Sequence, residues 1–409
     1  MSKAKTDSIE SFVMMYCSKP TFFDEPAVGI NCENGFLFVS LGNKTITLTP
    51  HHELQRQRHT FATKWEQDAS PVFSLADLPD GPLRTLFTGC FGYDDEMQDK
   101  FSLVCEMFGA AISGIGTRLA DPKAIVLHGI EAENGKTQVL EVISRLMPPD
   151  TVSAISPNQF GDQNYLAKLA GKLANISDEL GTAKAIMGET FKHVVTGFPI
   201  TSREVFSKPY EFRPRAQHIF AANELPSFVG GFDSGVRRRL LMLDFNRVIP
   251  PGERIAELGV KVVRENTHLA LVCAISGVAR LLKNGAFTEP KSSKESLQRW
   301  IRGSDAPLGW VHDRVVDNRA ELKAVDGDVP EKTTREAYAD FSLWYQVEGY
   351  DERRRPAITT FTQRVKAVGS RYGFKYEESG GRRKFVGMLF KAMPRDMKVA
   401  QDTETTLSR

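Results

Sequence analysis

A glycine, a lysine and a threonine at the start of a helix form a set that binds phosphate, and this chain has one. His128-Gly129-Ile130-Glu131-Ala132-Glu133-Asn134-Gly135-Lys136-Thr137 lies between an apolar run and an amphipathic segment. In that setting, backbone N–H groups at the helix start cradle phosphates. Lys136 would reach the β- and γ-phosphates, and the Thr137 hydroxyl would ligate Mg²⁺. Five residues separate Gly129 from Gly135, one more than the usual spacing. A bare Gly-Lys-Thr is common at helix starts; the flanking strand and helix set this one apart.

Phosphoryl transfer to water also needs carboxylates. Asn175-Ile176-Ser177-Asp178-Glu179 supplies two, 42 residues beyond Lys136 and after a helix. Asp178 would hold Mg²⁺ through water, and Glu179 would polarise the attacking water. The plainer reading is a solvated acidic pair at a helix N-terminus, where acids are favoured anyway. Asn223, in Phe220-Ala221-Ala222-Asn223-Glu224-Leu225-Pro226, is a polar amide directly after an apolar run. It suits a γ-phosphate sensor or, equally, an ordinary turn. Arg237-Arg238-Arg239 precedes LLMLDF. One of the three would serve as an arginine finger across a subunit interface, the role that the family resemblance described below gives to Arg238; otherwise the triplet is a solvated or DNA-facing cluster.

These residues need a scaffold. Lys123–His128, Leu173–Ser177, His218–Ala222 and Leu240–Phe245 are short apolar runs of the kind a buried parallel sheet requires. Helical periodicity between them predicts an α/β core covered on both faces. Val139, Leu140, Ile143, Leu146 and Met147 share one helix face, and Pro148-Pro149 ends that helix. A further helix is predicted over Tyr165–Leu173. Upstream, Asn34-Gly35 before FLFVSL predicts a hairpin or small sheet. Leu83, Phe87, Phe91, Phe101, Val104, Phe108 and Ile112 predict helices over 75–118. Residues 251–285 read as helical, and 286–330 as helix plus linker. The organisation expected is an N-terminal α/β and helical domain (1–118), an ATPase core (119–250), a helical lid and linker (251–329), a basic module (330–393) and a loose tail (394–409).

The 409 residues, 41% apolar and 25% charged, allow a large core and exclude global disorder. A formal charge of +2 means that any nucleic-acid surface is a local patch. The cysteines at 17, 32, 90, 105 and 273 form no CxxC pair, so free thiols are expected. No signal peptide or membrane span is visible. The most apolar stretch, Leu269–Leu282, has 14 residues and contains Arg280, against about 20 apolar residues for a span. The protein is expected to be soluble, with no membrane partner.

The patch is found in the C-terminal module. Helices over Thr333–Gly349 and Pro356–Gly369, the latter capped by Thr359 or Thr360, precede two strands around Ser379-Gly380-Gly381, the pattern of a winged helix. Between Arg353 and Lys384 there are ten Lys or Arg against two Glu, a local +8. Arg364, Lys366 and Arg371 would lie on the DNA-facing helix, and Arg382, Arg383 and Lys384 on the wing. A solubilising basic face on an interaction domain is the alternative.

Taken in order, the motifs resemble the superfamily 3 helicase module of phage and plasmid primase-helicases, an AAA+ family. Asn134-Gly135-Lys136-Thr137, Asn223 with Leu225-Pro226, and Arg238-Arg239 with Phe245 match its pattern. Thr196-Gly197 through Arg203, and Lys208-Pro209-Tyr210-Glu211-Phe212-Arg213-Pro214, resemble its DNA-contacting hairpin, with Phe198 where the family usually has Asp. About residues 25–393 are covered. The resemblance implies an AAA+ P-loop sheet with a lid and a C-terminal winged helix, using ATP and Mg²⁺. It implies a homo-hexameric ring moving 3′→5′ on single-stranded or forked DNA, with Arg203 and Lys208 facing the channel. It implies the motor alone, working beside a separate primase or polymerase in the cytoplasm of a bacterial host. Two other readings stand beside this one: an ATP-gated DNA-binding or loading protein that does not unwind, and an assembly protein with an inactive nucleotide site.

Overall fold

A computed structural model describes residues 22–66, 70–129, 131–181, 184–229, 231–316, 329–350, 352–379 and 381–394, with a few positions near either end. Ile130, Cys17, most of the 317–330 linker and nearly all of the expected tail lie outside the described residues. The chain divides into two compact units, 1–297 and 298–409.

The first unit opens with an antiparallel sheet of β1 (Gly29–Cys32), β2 (Gly35–Ser40) and β3 (Thr45–Thr49). Ile30 lies opposite Leu37, and Leu37 opposite Leu48, so one face is apolar. Two helices follow, α1 (Pro82–Phe91) and α2 (Met97–Ser113). Then comes the α/β segment: β4 (Ala124–His128), α3 (Lys136–Leu146), β5 (Val152–Ser153), α4 (Gln163–Ala167), β6 (Ala174–Ser177), β7 (Ile186–Met187) and α5 (Gly188–Val195). It continues with β8 (Ile200–Ser202), β9 (Tyr210–Phe212), β10 (Gln217–Ala222), β11 (Phe228–Val229), α6 (Ser234–Arg237) and β12 (Leu240–Asp244). The unit closes on α7 (Leu258–Asn284) and the start of α8 (Lys291–Ser304).

The central sheet has the order β12-β4-β10-β6-β5, and every pairing in it is parallel. This is the expected α/β core. Its strands are apolar runs because both faces are covered: every residue of β10 and β12 is buried. Ala222, His128 and Asp244 stand in one row across β10, β4 and β12. Gly129, Asn223 and Phe245 therefore leave the sheet at the same C-terminal edge. Ligands bind outside the carboxyl ends of parallel strands, which is where this edge lies.

The N-terminal sheet, α1, α2, the central sheet, α3 and α7 share one continuous hydrophobic core. Two glycines let α2 and α7 approach closely. A Cβ on Gly109 would lie 2.4 Å from the Ala274 carbonyl oxygen, and one on Gly277 would lie 2.1 Å from that of Cys105. Alongside, the fully buried Glu106 carboxylate accepts from Arg280 Nε (3.3 Å), Thr288 N (2.6 Å) and Thr288 Oγ1 (2.7 Å). These bonds tie α2 to α7 and to the segment that follows it. The four described cysteines are free and buried. None of the described helices is long and apolar enough to cross a membrane.

The helix predicted over Tyr165–Leu173 is shorter. It ends at Ala167, because the chain turns through Gly171 (φ +72°) and Leu173 N–H already donates to Thr151 O in the sheet.

The second unit runs α9 (Ala306–Arg314), β13 (Glu331–Thr333), α10 (Thr334–Val347), α11 (Ile358–Tyr372), β14 (Lys375–Ser379) and β15 (Arg382–Val386). Its antiparallel sheet has the order β13-β15-β14, packed with three helices. Trp310 and Arg314 of α9 are wholly buried against Asp340 of α10. Trp310 Nε1 donates to it at 2.8 Å, and Arg314 grips both of its oxygens at 2.9 and 2.7 Å. Helix α11 is capped by Ala357 rather than by a threonine, and Thr362 bonds back to Ile358 O. Met397, in the stretch expected to be loose, is buried in this core with Met393 packed nearby.

Candidate nucleotide-binding site

The loop leaving β4 is shaped by its own side chains. Asn134, 3% exposed, donates from Nδ2 to Glu131 O (2.7 Å) and Phe245 O (3.3 Å), pinning the loop to the end of β12. Lys136, 7% exposed, donates from Nζ to Gly129 O at 2.9 Å. Burial pulls the Lys136 ammonium below its ordinary pKa, and the Asp178 carboxylate opposes that shift. Asp178, just beyond β6, and Lys136, at the start of α3, thus lie within electrostatic reach of each other.

The extra loop residue is accommodated in left-handed backbone. Glu133 has φ +61° and Gly135 φ +89°; the Glu133 carbonyl accepts Ile249 N–H at 3.0 Å, and its carboxylate pairs with Arg254. A Cβ on Gly135 would lie 2.4 Å from Cys90 Sγ, so only glycine fits both the φ and the space. Gly135 caps α3 without a side-chain bond, leaving first-turn N–H groups without intrahelical acceptors. The helix dipole adds positive potential there.

Thr137 is exposed on that first turn. Asp178 and Glu179 are exposed just beyond β6, and Asn223 just beyond β10. Leu180 N–H donates to Ala221 O at 3.2 Å, tying the acidic segment to the asparagine strand. So Gly129, Asn134, Gly135, Lys136, Thr137, Asp178, Glu179 and Asn223 share one edge of the sheet.

Arg238 does not. It precedes β12, whose Leu240 pairs with Ala124 at the start of β4. At about 3.3 Å per residue, the length of β12 puts it roughly 13 Å or more from the loop. Lys123 Nζ donates to its carbonyl at 2.5 Å, which confirms the placement at the N-terminal edge. Arg238 is exposed, whereas Arg239 turns inward and donates to Gly235 O at 2.7 Å.

Residues that the sequence did not single out also reach the site. The His128 ring lies 3.2 Å from Asp244 Oδ1, and Ser296 Oγ donates to Asp244 Oδ2 at 2.5 Å. The only signal for Asp244 was a carboxylate ending an apolar strand. Cys90 was masked by its apolar helix.

The residues fit a nucleoside triphosphate with a magnesium ion. No cluster of three or more His, Cys, Asp or Glu side chains able to hold a metal occurs among the described residues. A lone hydroxyl and one carboxylate is instead the sparse donor set of an Mg²⁺ that takes its other ligands from phosphate and water.

Arg203 and Lys208 fall in the 203–209 connection between β8 and β9, an antiparallel pair. Phe206, at its tip, is fully exposed with φ +64°. In the second unit, Lys366, Arg371 and Arg382 are exposed, with the Lys366 ammonium 5.0 Å from the Tyr376 ring centroid. Arg364 faces buried Asp305 at 3.8 Å, Arg383 pairs with Glu378 at 2.9 Å and Lys384 with Glu331 at 2.5 Å. Asp305 and Glu331, both outside that span, therefore partly neutralise the +8 counted along the sequence, which already includes Glu378.

The family model described as "Family of unknown function (DUF5906)" matches residues 127–239, from the end of β4 to the arginine triplet. No curated protein matches the chain in sequence. Among solved structures, the apo structure of the NrS-1 C-terminal region (305–718) is similar with a TM-score of 0.46 and 12% identity, over 81% of this chain and 85% of that one. The A-form apo structure of the same region gives 0.43 and 13%, over 80% and 79%. A JCV helicase bound to a small molecule gives 0.28 and 11%, over 55% and 67%. Similarity at this level assigns no residue a role.

Proposed function

We propose that this chain is an ATP-hydrolysing DNA motor: a ring-forming AAA+ helicase of the superfamily 3 type, serving replication of a phage, prophage or plasmid. The observation that carries the reading is the division of the motifs between the two edges of one sheet. The loop, the acids and Asn223 stand at the C-terminal edge, while Arg238 stands exposed at the other. An arginine so placed cannot serve its own loop, but it can serve that of a neighbouring copy, which is what a ring of identical subunits supplies.

In this reading Lys136 leaves the Gly129 carbonyl for the phosphate oxygens and neutralises the charge that grows on them. Thr137 and Asp178 would hold Mg²⁺, which would supply positive charge to the phosphates. Glu179 orients the attacking water and takes its proton. Asn223, reached through β10, reports on the γ-phosphate. Arg203 and Lys208 grip DNA phosphates from the β8–β9 connection, so binding depends on salt more than on sequence. Translocation runs 3′→5′ in a hexamer.

The test is paired. ATP turnover is measured with and without single-stranded DNA, and strand displacement on a forked duplex with either tail. Stimulated turnover with displacement is expected. Turnover and DNA binding without displacement would make the chain a loading protein, and no turnover would make it an assembly protein.

A further inference from the structure

Three cavities lie end to end on the first unit. The middle one, about 780 Å³, is walled by Arg56, Arg58, Tyr210, Phe212, Arg213 and Arg215. It meets a cavity of about 400 Å³ at Phe23 and Arg56, beyond which lie His51 and His52. At the other end it meets one of about 200 Å³ at Glu25, Arg213 and Arg215, beyond which lies Arg118. The result is one groove, passing from the N-terminal sheet along β9 to the turn before α5's successor strand β8.

The five arginines of its wall stand beside four carboxylates, Asp24, Glu25, Glu53 and Glu211. Arg56 and Arg58 come from one loop, Arg213 and Arg215 from the segment after β9, and Arg118 from the turn before β4. Aromatic rings are set among them. The Arg58 guanidinium lies 4.7 Å from the Phe23 ring centroid, and that of Arg56 lies 5.9 Å from Phe22. Arg215 is crowded: burial, with Arg118 and Arg213 beside it, lowers its pKa to about 10. Glu25 at 3.8 Å, the Asp24 carbonyl at 2.6 Å and the nearby Asp24 carboxylate offset this crowding in part. Where Arg118, Arg213 and Arg215 crowd together, an anion would relieve their mutual repulsion.

We propose that this groove binds a single strand of DNA, with its phosphates on the five arginines and its bases against Phe23, Tyr210 and Phe212. Arginines set among part-exposed aromatic rings suit a flexible polyanion whose bases are unpaired. A duplex presents no free base faces, and a lone phosphate needs no groove of this length. The incoming strand displaces the Glu25 carboxylate from Arg215. Because Arg215 precedes β10 and Asn223 follows it, one strand joins this groove to the nucleotide edge. The inference rests on the DNA-motor reading and adds a strand path separate from the β8–β9 tip.

The experiment uses the full chain and a labelled oligothymidylate of about 20 nucleotides, enough to span a site of this kind. Anisotropy is read across a salt series. Arg58→Ala with Arg213→Ala, both exposed positions, should lower affinity about tenfold and reduce the salt slope by about 1.4, at roughly 0.7 per phosphate contact. Phe23→Ala should lower affinity about tenfold with the slope unchanged, since a ring releases no counterion. Glu25→Gln should raise affinity about threefold, which a structural role for the segment would not produce. Melting temperatures close to the parent's confirm that the variants fold. If the parent binds but all these variants bind alike, the groove falls and the motor reading stands. If the parent binds no single strand, the motor reading falls first. Tighter binding of uridylate through the same arginines would overturn the assignment to DNA.

Discussion

Lys136 and Gly129 are joined across the mouth of their loop by a hydrogen bond of 2.9 Å from Nζ to the carbonyl oxygen. The bond holds a buried cation at the spot where a phosphate oxygen would take the carbonyl's place, with Asp178 supplying the opposing charge. It sets up the chemistry without committing the lysine to a permanent ion pair.

Lys136→Ala should therefore abolish ATP turnover, by a factor of at least about a hundred, while the fold survives. Turnover is read by phosphate release and the fold by melting temperature. Parental turnover in this variant would remove the 129–137 loop from the active site.

The two acids should separate by role. Glu179→Gln should bind ATP and Mg²⁺ but turn over very slowly, accumulating an assembled nucleotide-bound state. Asp178→Asn should instead raise the Mg²⁺ concentration needed for half-maximal turnover. The reverse pattern would exchange the metal and water roles. If neither variant slowed turnover, the pair would be only a solvated loop.

Arg238 lies too far from its own loop to act there, so Arg238→Ala should be complemented in mixtures. Mixed with Lys136→Ala subunits, it should regain part of the lost turnover, because some interfaces then combine an intact loop with an intact finger. Strictly additive loss would place Arg238 in DNA binding or in its own subunit. Arg239, whose guanidinium is tied to Gly235, should complement less.

The sequence shows the parallel sheet readily, because strands buried on both faces must be continuous apolar runs. The helix periods and the Asn34-Gly35 turn are equally open. What it hides are relations fixed by direction and distance. That Arg238 stands at the edge opposite Lys136 follows only once β4 and β12 are known to run parallel. Arg58 and Arg213 meet across 155 positions, with no periodic signal. The strand β13, Glu-Lys-Thr, is too short and polar to show itself. The ion pairs of Arg364, Arg383 and Lys384 depend on acids of neighbouring elements, so a charge count along the chain overstates the free basic surface.

His218 gives the first unit a sensitivity to acid. It is wholly buried on β10 beside Asn175, and burial lowers its pKa to about 4. The unfolded chain would take up this proton near pH 6.5, whereas the folded protein resists until about pH 4. The stability from the neutral ring is thus full above pH 6.5 and is lost as the pH falls towards 4. The loss is about 2 kcal/mol at pH 5. The melting temperature should drop several degrees between pH 7 and pH 5, and His218→Gln should shrink that drop. An equal drop in both proteins would place the acid sensitivity elsewhere.

The basic module should contribute DNA affinity rather than ATP chemistry, but cutting the chain near Pro330 would not test this cleanly. Such a cut leaves Trp310 and Arg314 without Asp340, stranding a buried guanidinium at a cost of about 3–5 kcal/mol. Charge neutralisation avoids the problem. Lys366, Arg371 and Arg382 are exposed, and no acidic partner is recorded for them among the described residues, whereas Arg364, Arg383 and Lys384 face carboxylates. Lys366→Ala, Arg371→Ala and Arg382→Ala together should leave turnover without DNA unchanged. They should weaken binding to forked duplex at moderate salt and lower the salt slope by about 2.7, at roughly 0.9 per contact. Neutralising Arg383 should do less, since removing it also frees Glu378. Equal affinity and slope for parent and triple variant across the salt series would make the module a protein-interaction domain.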